Sequence, residues 1–219
     1  MNTSNILFAA LNLKPDDIRD KRVIEVGSYN VNGSLRPLVN ALGPRDYIGV
    51  DIMEGPGVDI ICDAADLSNR FAAGSFDFVI ATEMIEHVKD WRVIIHNLKN
   101  LCKAGGGILI TTRSRGFLYH GYPDDYWRYE IDDLKIIFRD FVIENIEKDP
   151  QFGVMIIAKK PLDFLESDLH DYSLYSIIAG TRVRDYDDIN LKFLRNARIA
   201  IKEKLRHFFS QLAHFFRSI

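Results

Sequence analysis

Residues 22–33 read Arg22-Val23-Ile24-Glu25-Val26-Gly27-Ser28-Tyr29-Asn30-Val31-Asn32-Gly33. The apolar run over 23–26 carries one carboxylate, Glu25, and breaks at Gly27. That pattern predicts a buried parallel strand ending in a tight turn. Gly33-Ser34-Leu35-Arg36-Pro37-Leu38-Val39 then reads as a helix entry, with Ser34 as N-cap and Pro37 tolerated in the first turn. Strand, glycine turn and helix open a nucleotide-binding α/β sheet, because the turn lets backbone N–H groups and the helix N-terminus approach a ligand closely.

Outward from this unit, Tyr47-Ile48-Gly49-Val50-Asp51 is a second apolar run ending in an acid, roughly 20 residues past the turn. At that spacing Asp51, with Ile52 beside it, suits a ribose: a carboxylate there accepts hydrogen bonds from both hydroxyls of an adenosine. The plainer reading is that Glu25 and Asp51 cap solvent-facing strand ends, and their joint spacing favours the ligand. A third strand is expected over 58–62, a fourth over 76–81 and a fifth over 107–112, after a stop at Gly105-Gly106-Gly107. Helices are expected over 5–13, 35–42 and 91–103. The runs over 141–147 and 152–158 are joined by too few residues for a helix, so they pair antiparallel. The expected fold is α/β: a Rossmann-like, mostly parallel sheet with a C-terminal antiparallel strand pair and helices on both faces. The chain divides into a helical lead-in (1–20), a ligand-binding domain (21–160) and a helical extension (161–219).

Glu25-Val-Gly-Ser28, Gly49-Val-Asp51, Cys62-Asp63-Ala64 and Phe76-Asp77-Phe78-Val79, followed by Glu83-Met-Ile-Glu86-His87-Val88, resemble the class I S-adenosylmethionine-dependent methyltransferases. The similarity spans about residues 21–160. It implies S-adenosylmethionine as cofactor, held by Glu25, Gly27, Ser28, Gly33, Asp51, Ile52, Asp63, Ala64, Thr82 and Glu83. Asp63 resembles the family's adenine contact; as an alternative it caps the turn that follows. Where the family has further glycines, this chain has Tyr29 and Val31.

Methyl transfer from a sulfonium requires alignment and, for a hydroxyl acceptor, removal of a proton. Two groups are placed to serve it, and His87, His120 and Asp124 are the candidate catalytic residues. In the first group, Glu83, Glu86 and His87 are similar to segments that bind a divalent metal in some O-methyltransferases. Two carboxylates and one imidazole leave that shell incomplete, so the expectation is a loop tie with no metal. The second is His120-Gly-Tyr-Pro-Asp124-Asp125-Tyr126-Trp127-Arg128-Tyr129, whose rings and acids suit a polyhydroxylated acceptor such as a sugar. As a structural lid, the same stretch would bury Tyr126 and Trp127 instead. The expected activity is methylation of a hydroxyl on a small molecule or glycan; the rival is a non-catalytic S-adenosylmethionine-binding or membrane-recruited module. A nicotinamide enzyme is disfavoured, since Gly-x-Gly-x-x-Gly is missing.

At 219 residues, with 47% hydrophobic and 27% charged content, the chain has the composition of a globular protein. Net charge is -3, which gives no general attraction for nucleic acid. From residue 190 onward seven Lys or Arg face Glu203 alone, so this tail carries +6 and the remainder −9. Ile201, Leu205, Phe208, Leu212, Phe215 and Ile219 recur at three- and four-residue steps in it. Such a basic amphipathic helix either meets a membrane surface peripherally or packs on its own domain or a second copy. Cys62 and Cys102 lack metal-ligand spacing and read as buried thiols. With no signal-peptide layout and no run of transmembrane length, a cytoplasmic location is expected.

Overall fold

The computed structural model describes residues 1–121 and 123–186. The chain opens with α1 (Thr3–Asn12), where the Asn2 side chain accepts from the Asn5 N–H at 3.0 Å, and a short α2 (Pro15–Ile18). Next come β1 (Arg22–Val26), α3 (Arg36–Ala41), β2 (Asp46–Asp51), β3 (Ile60–Ile61), α4 (Leu67–Arg70), β4 (Phe76–Thr82), α5 (Trp91–Leu101) and β5 (Cys102–Arg113). β6 (Trp127–Arg128) and α6 (Ile131–Ile137) lead into a hairpin of β7 (Val142–Asp149) and β8 (Gly153–Lys159), followed by β9 (Leu174–Ser176) and β10 (Arg182–Val183).

Seven strands form one sheet in the order β3-β2-β1-β4-β5-β8-β7. The first five run parallel, and β8 is antiparallel to both of its neighbours, β5 and β7. Side chains alternate between two cores, as pleating requires. Val23, Phe78, Ile80, Leu109 and Ile157 pack with Phe8 and Ala9 of α1 and Val39 of α3. Ile24, Val26, Val79, Ile108 and Ile110 pack with Trp91, Ile94, Ile95 and Leu98 of α5, an apolar stripe at helical steps. The strand order turns back between β1 and β4, and sheets of this kind take ligands at the carboxyl ends of the strands there.

Four local expectations are corrected. Ser34 is not the N-cap of α3: Leu35 takes that place, and the Ser34 hydroxyl accepts from the Arg36 N–H at 3.0 Å. Gly105-Gly106-Gly107 does not stop a strand but lies inside β5 as a bulge, where the pairing jumps from Phe76↔Cys102 to Phe78↔Gly107. A Cβ at Gly106 would lie 2.6 Å from the Asp77 carbonyl oxygen, and one at Gly107 2.4 Å from the Phe78 ring, so only glycine lets β5 come this close to β4. The third strand is shorter than expected because Asp59 turns aside, accepting the Gly49 N–H at 2.7 Å and pairing with Arg36. Residues 161–186 form no helix and instead carry β9 and β10, which join β6 in a small antiparallel sheet. The basic tail beyond residue 186, and with it the amphipathic helix, lies outside the described residues. Cys102 is buried, whereas Cys62 is only partly so.

α1 is fastened through buried charge. Arg113 at the end of β5 is ion-paired with Glu83 and lies 3.6 Å from Asp149, with the Arg113 and Glu83 side chains 8% and 9% exposed. Asn5 donates to Glu83 at 3.1 Å, and Asn2 and Ser4 donate to Asp149 at 2.6 and 2.7 Å. Breaking a buried pair from one side strands the other charge, at about 3–5 kcal/mol. Arg113→Met should therefore lower stability by that amount in urea unfolding. Glu83→Leu combined with Arg113→Met should cost less than the two single changes together; strict additivity would show the charges to be independent.

Candidate active site

The ligand edge begins where β1 stops. The N–H groups of Gly27 and Ser28 both donate to the Val50 carbonyl, at 2.8 and 3.1 Å, which locks the end of β1 onto β2. Gly27 has φ +80°, and a Cβ there would lie 2.5 Å from Met84 Cγ; no other residue fits both its backbone and its space. The two oxygens of Asp51 accept from the Tyr29 N–H and the Met53 N–H, each at 3.1 Å, so this carboxylate is fixed under the loop that leaves Gly27. Ile52 and Met53 beside it are 51% and 39% exposed. Asp63 caps a short turn by accepting from the Ala65 N–H at 2.8 Å, with Ala64 buried behind it. The Asn30 side chain accepts from the Gly33 N–H at 2.9 Å and closes the loop.

These residues fit an adenosine. The glycine turn would admit close approach, Asp51 at the end of β2 would offer the carboxylate a ribose needs, and exposed Ile52 and Met53 would give apolar cover for a base. Tyr29 takes the room left where the family carries glycine. Its ring covers Gly55, where a Cβ would lie 1.9 Å from Tyr29 Cε2.

Glu25 and Thr82 are both buried. Glu25 is 2% exposed and accepts from the Tyr47 hydroxyl at 2.5 Å. Burial pushes its pKa up to about 7, against the pull of Tyr47, Arg36 and Thr82. Glu83, expected on the cofactor or a metal, turns the other way. In a left-handed backbone conformation (φ 54°) it accepts from Asn5 and Thr111 and pairs with Arg113. Burial, with Glu86 nearby, raises it to about 7.

Past Glu83 the structure gathers a different cluster. Glu86 is fully buried; its Oε2 accepts from the Thr112 hydroxyl at 2.9 Å, and its Oε1 lacks a hydrogen-bond partner. His87 Nε2 lies 3.9 Å and His120 Nε2 3.8 Å from that oxygen. Both imidazoles are held from behind. His87 Nδ1 meets the Asp124 carbonyl at 2.6 Å, and His120 Nδ1 meets Asp125 at 2.9 Å. Asp125, buried, accepts from both terminal nitrogens of Arg128 at 2.6 Å. Burial works to raise the Asp125 carboxyl, yet Arg128 and His120 hold it well below the carboxylate range. Burial lowers the pKa of His87 and raises that of Glu86.

Of the expected catalytic residues, His87 and His120 come together, with ring centroids 4.7 Å apart. Asp124 joins them through its main-chain carbonyl, while its carboxylate accepts from the Tyr126 hydroxyl at 3.2 Å. Asp125 and the facing role of Glu86 are additions. Trp127 is 1% exposed, donates to the Val88 and Lys89 carbonyls and packs under Tyr186, so it belongs to the core and not to a stacking platform.

A sheet with this strand order and its reversed strand, carrying a glycine turn and a carboxylate at the end of β2, defines the class I S-adenosylmethionine-dependent fold. The chain belongs to the methyltransferase domain family, whose profile matches residues 3–144, and S-adenosylmethionine is its cofactor. Among solved structures, it resembles the 1,6-didemethyltoxoflavin N1-methyltransferase of Burkholderia thailandensis (14% identity, TM-score 0.59, covering 73% of this chain and 80% of that one). It also resembles a putative methyltransferase complexed with the Trm112 activator of Haloferax volcanii (15% identity, TM-score 0.57, 72% and 89% covered). A third is a putative S-adenosylmethionine-dependent methyltransferase of Listeria monocytogenes (12% identity, TM-score 0.53, 73% and 99% covered). No curated protein sequence gives a significant match. Among the described residues no helix is long and apolar enough to cross a membrane.

Two outcomes follow from this geometry. Asp51→Ala should weaken S-adenosylhomocysteine binding by about 1.5–3 kcal/mol in calorimetry, the worth of a charge-assisted hydrogen bond; unchanged affinity would remove Asp51 from the ribose. The Glu25 value lies above its unfolded one, so its stabilising contribution is complete below about 4.5 and is lost as pH rises through about 7. Glu83 acts with the same sign. Urea midpoints across that window should therefore fall less steeply in Glu25→Gln than in the parent chain.

Proposed function

We propose that this methyltransferase acts on a hydroxyl of a small polar molecule or glycan, activated at the Glu86–His87–His120 cluster. The observation that carries this reading is the pair of imidazoles at the carboxyl end of β4, with Nε2 turned inward and Nδ1 held by Asp124 and Asp125. The cofactor supplies an electrophilic methyl on a sulfonium; the chain's own task is to align a hydroxyl and relieve it of its proton. Main-chain and carboxylate acceptors on Nδ1 fix the tautomer that presents Nε2 as a lone pair. The turn after β4, Thr82-Glu83-Met84, differs from the Asn-Pro-Pro-Tyr-like turn of base-amino methyltransferases. With Trp127 in the core, support for a sugar rests on the acids and imidazoles and not on ring stacking.

Methyl-labelled cofactor offered to polyol, phenol and glycan extracts tests this, because carbon–oxygen and carbon–nitrogen methyls separate in the carbon spectrum of the product. The expected label is on oxygen; label on nitrogen alone would overturn the hydroxyl reading. His87→Gln and His120→Gln should each lower turnover by about 10²–10⁴-fold and leave S-adenosylhomocysteine affinity near that of the parent. Full turnover in both would leave alignment as the whole mechanism.

A further inference from the structure

We infer that Phe152 is a stacking subsite for the methyl acceptor, so that the hydroxyl to be methylated is carried by a molecule with a flat apolar ring face, a sugar or an aryl ring. This rests on the hydroxyl reading above, in which the acids and imidazoles serve the reacting group and leave the rest of the acceptor unassigned.

The backbone singles this residue out. β7 and β8 are joined through Pro150, Gln151 and Phe152, with Asp149 opposite Gly153. A three-residue hairpin connection commonly puts its last residue in the left-handed region, where glycine is the usual occupant. This chain has its glycine one position later: Phe152 has φ 59°, and Gly153 already lies in β8. For a bulky residue that conformation is an outlier, and such residues gather at ligand sites. Burial does not account for it. Phe152 is 56% exposed and, among the described residues, the only exposed Phe, Tyr or Trp.

Its surroundings say where the ring is held. Gly153 pairs with Arg113, the last residue of β5, so the hairpin tip stands at the carboxyl ends of the parallel strands. The Phe152 carbonyl accepts from the Ser114 N–H at 2.9 Å. The ring lies against Gly116 (φ +104°), where a Cβ would come 2.5 Å from Phe152 Cδ1, so the loop leaves the ring its place. One residue further on, the Phe117 ring meets the His120 imidazole with centroids 4.8 Å apart. Arg128, buried, donates to the carbonyls of Phe117 and Leu118 at 3.3 and 3.1 Å. One fixed loop therefore carries both the seat of the Phe152 ring and the imidazole of the candidate base. An aromatic ring open on one side takes the apolar face of a sugar or of an aryl group alike.

The test loads the full chain with S-adenosylhomocysteine and follows two sets of probes by saturation-transfer NMR: methyl glycosides of the common hexoses, and phenol with catechol. At least one set should bind, with transfer strongest at its ring protons, and the set that binds tells sugar from aryl. Phe152→Asn, whose side chain suits the left-handed position, should weaken that binding by about 2–10-fold, and Phe152→Tyr should keep it. S-adenosylhomocysteine affinity should be equal in all three chains, and the urea midpoint of Phe152→Asn should not fall below that of the parent. Binding of neither set to the parent would overturn the proposal, as would probe binding untouched by Phe152→Asn. A midpoint that falls would make the ring a prop for the loop and overturn it as well. If ring probes bind through Phe152 while the cofactor's methyl goes to nitrogen alone, the hydroxyl reading fails and the subsite stands. Methyl on oxygen with probe binding indifferent to Phe152 would mean the reverse.

Discussion

The Glu83–Arg113 ion pair sets the direction of everything that follows β4. A non-glycine residue with φ 54° is held there because its carboxylate is captured by the last residue of β5 and by α1. With Glu83 turned towards one face, the chain brings Glu86 and His87 round to the other, where the 120–125 loop meets them. The same arginine sits 3.6 Å from Asp149 at the end of β7, so one side chain connects the N-terminal helix, the hairpin and the turn at the ligand edge. Buried charge here serves orientation more than net stability.

A comparable economy governs the C-terminal segment. Arg92 on α5 donates to the carbonyls of Leu169, Tyr172 and Arg184 at 2.8, 2.5 and 3.0 Å. Asp133 on α6 receives the Tyr172 hydroxyl at 2.6 Å and Arg182 at 2.5 Å. These two side chains draw residues 169–184 across the outer face of α5 and α6. Tyr186 follows onto Trp127 and donates to the Tyr126 carbonyl at 2.9 Å. The loop that supplies His120 and Asp125 is thereby backed by a second layer, and the imidazoles stand on a packed support.

The glycine turn, the acid ending β2 and the alternation of strands and helices are legible because each is local: backbone sterics and strand period act over a few residues. Asp51 accordingly ends β2, and Gly27 turns the chain out of β1. What escaped was decided by partners far away in the chain. Nothing near Glu83 says that Arg113 will claim it and leave Glu86 to face the histidines. The choice between Asp124 and Asp125 depends on which one Arg128 reaches from the next strand, though the Asp-x-x-Arg spacing held the hint. Gly105-Gly106-Gly107 read as a stop because the sequence does not show the carbonyl of Asp77 and the ring of Phe78 pressing on the strand. Residues 161–186 read as part of a helical extension although their hold is polar, through Arg92 and Asp133, and polar anchors leave no periodic trace.

The reversed strand β8 has a consequence for how the domain is made. β5 ends at Arg113, but the strand that covers its edge spans Gly153–Lys159 and is synthesised after β7, which lies one place further out. Until the chain has been extended past that point, β5 presents an apolar, unpaired edge through Ile108, Leu109 and Ile110. The sheet is therefore completed from the inside, by a late strand inserted between an early one and its own hairpin partner. A nascent chain emerging from the ribosome carries that sticky edge for about 40 residues of further synthesis, the interval in which a chaperone or a second copy has most to hold.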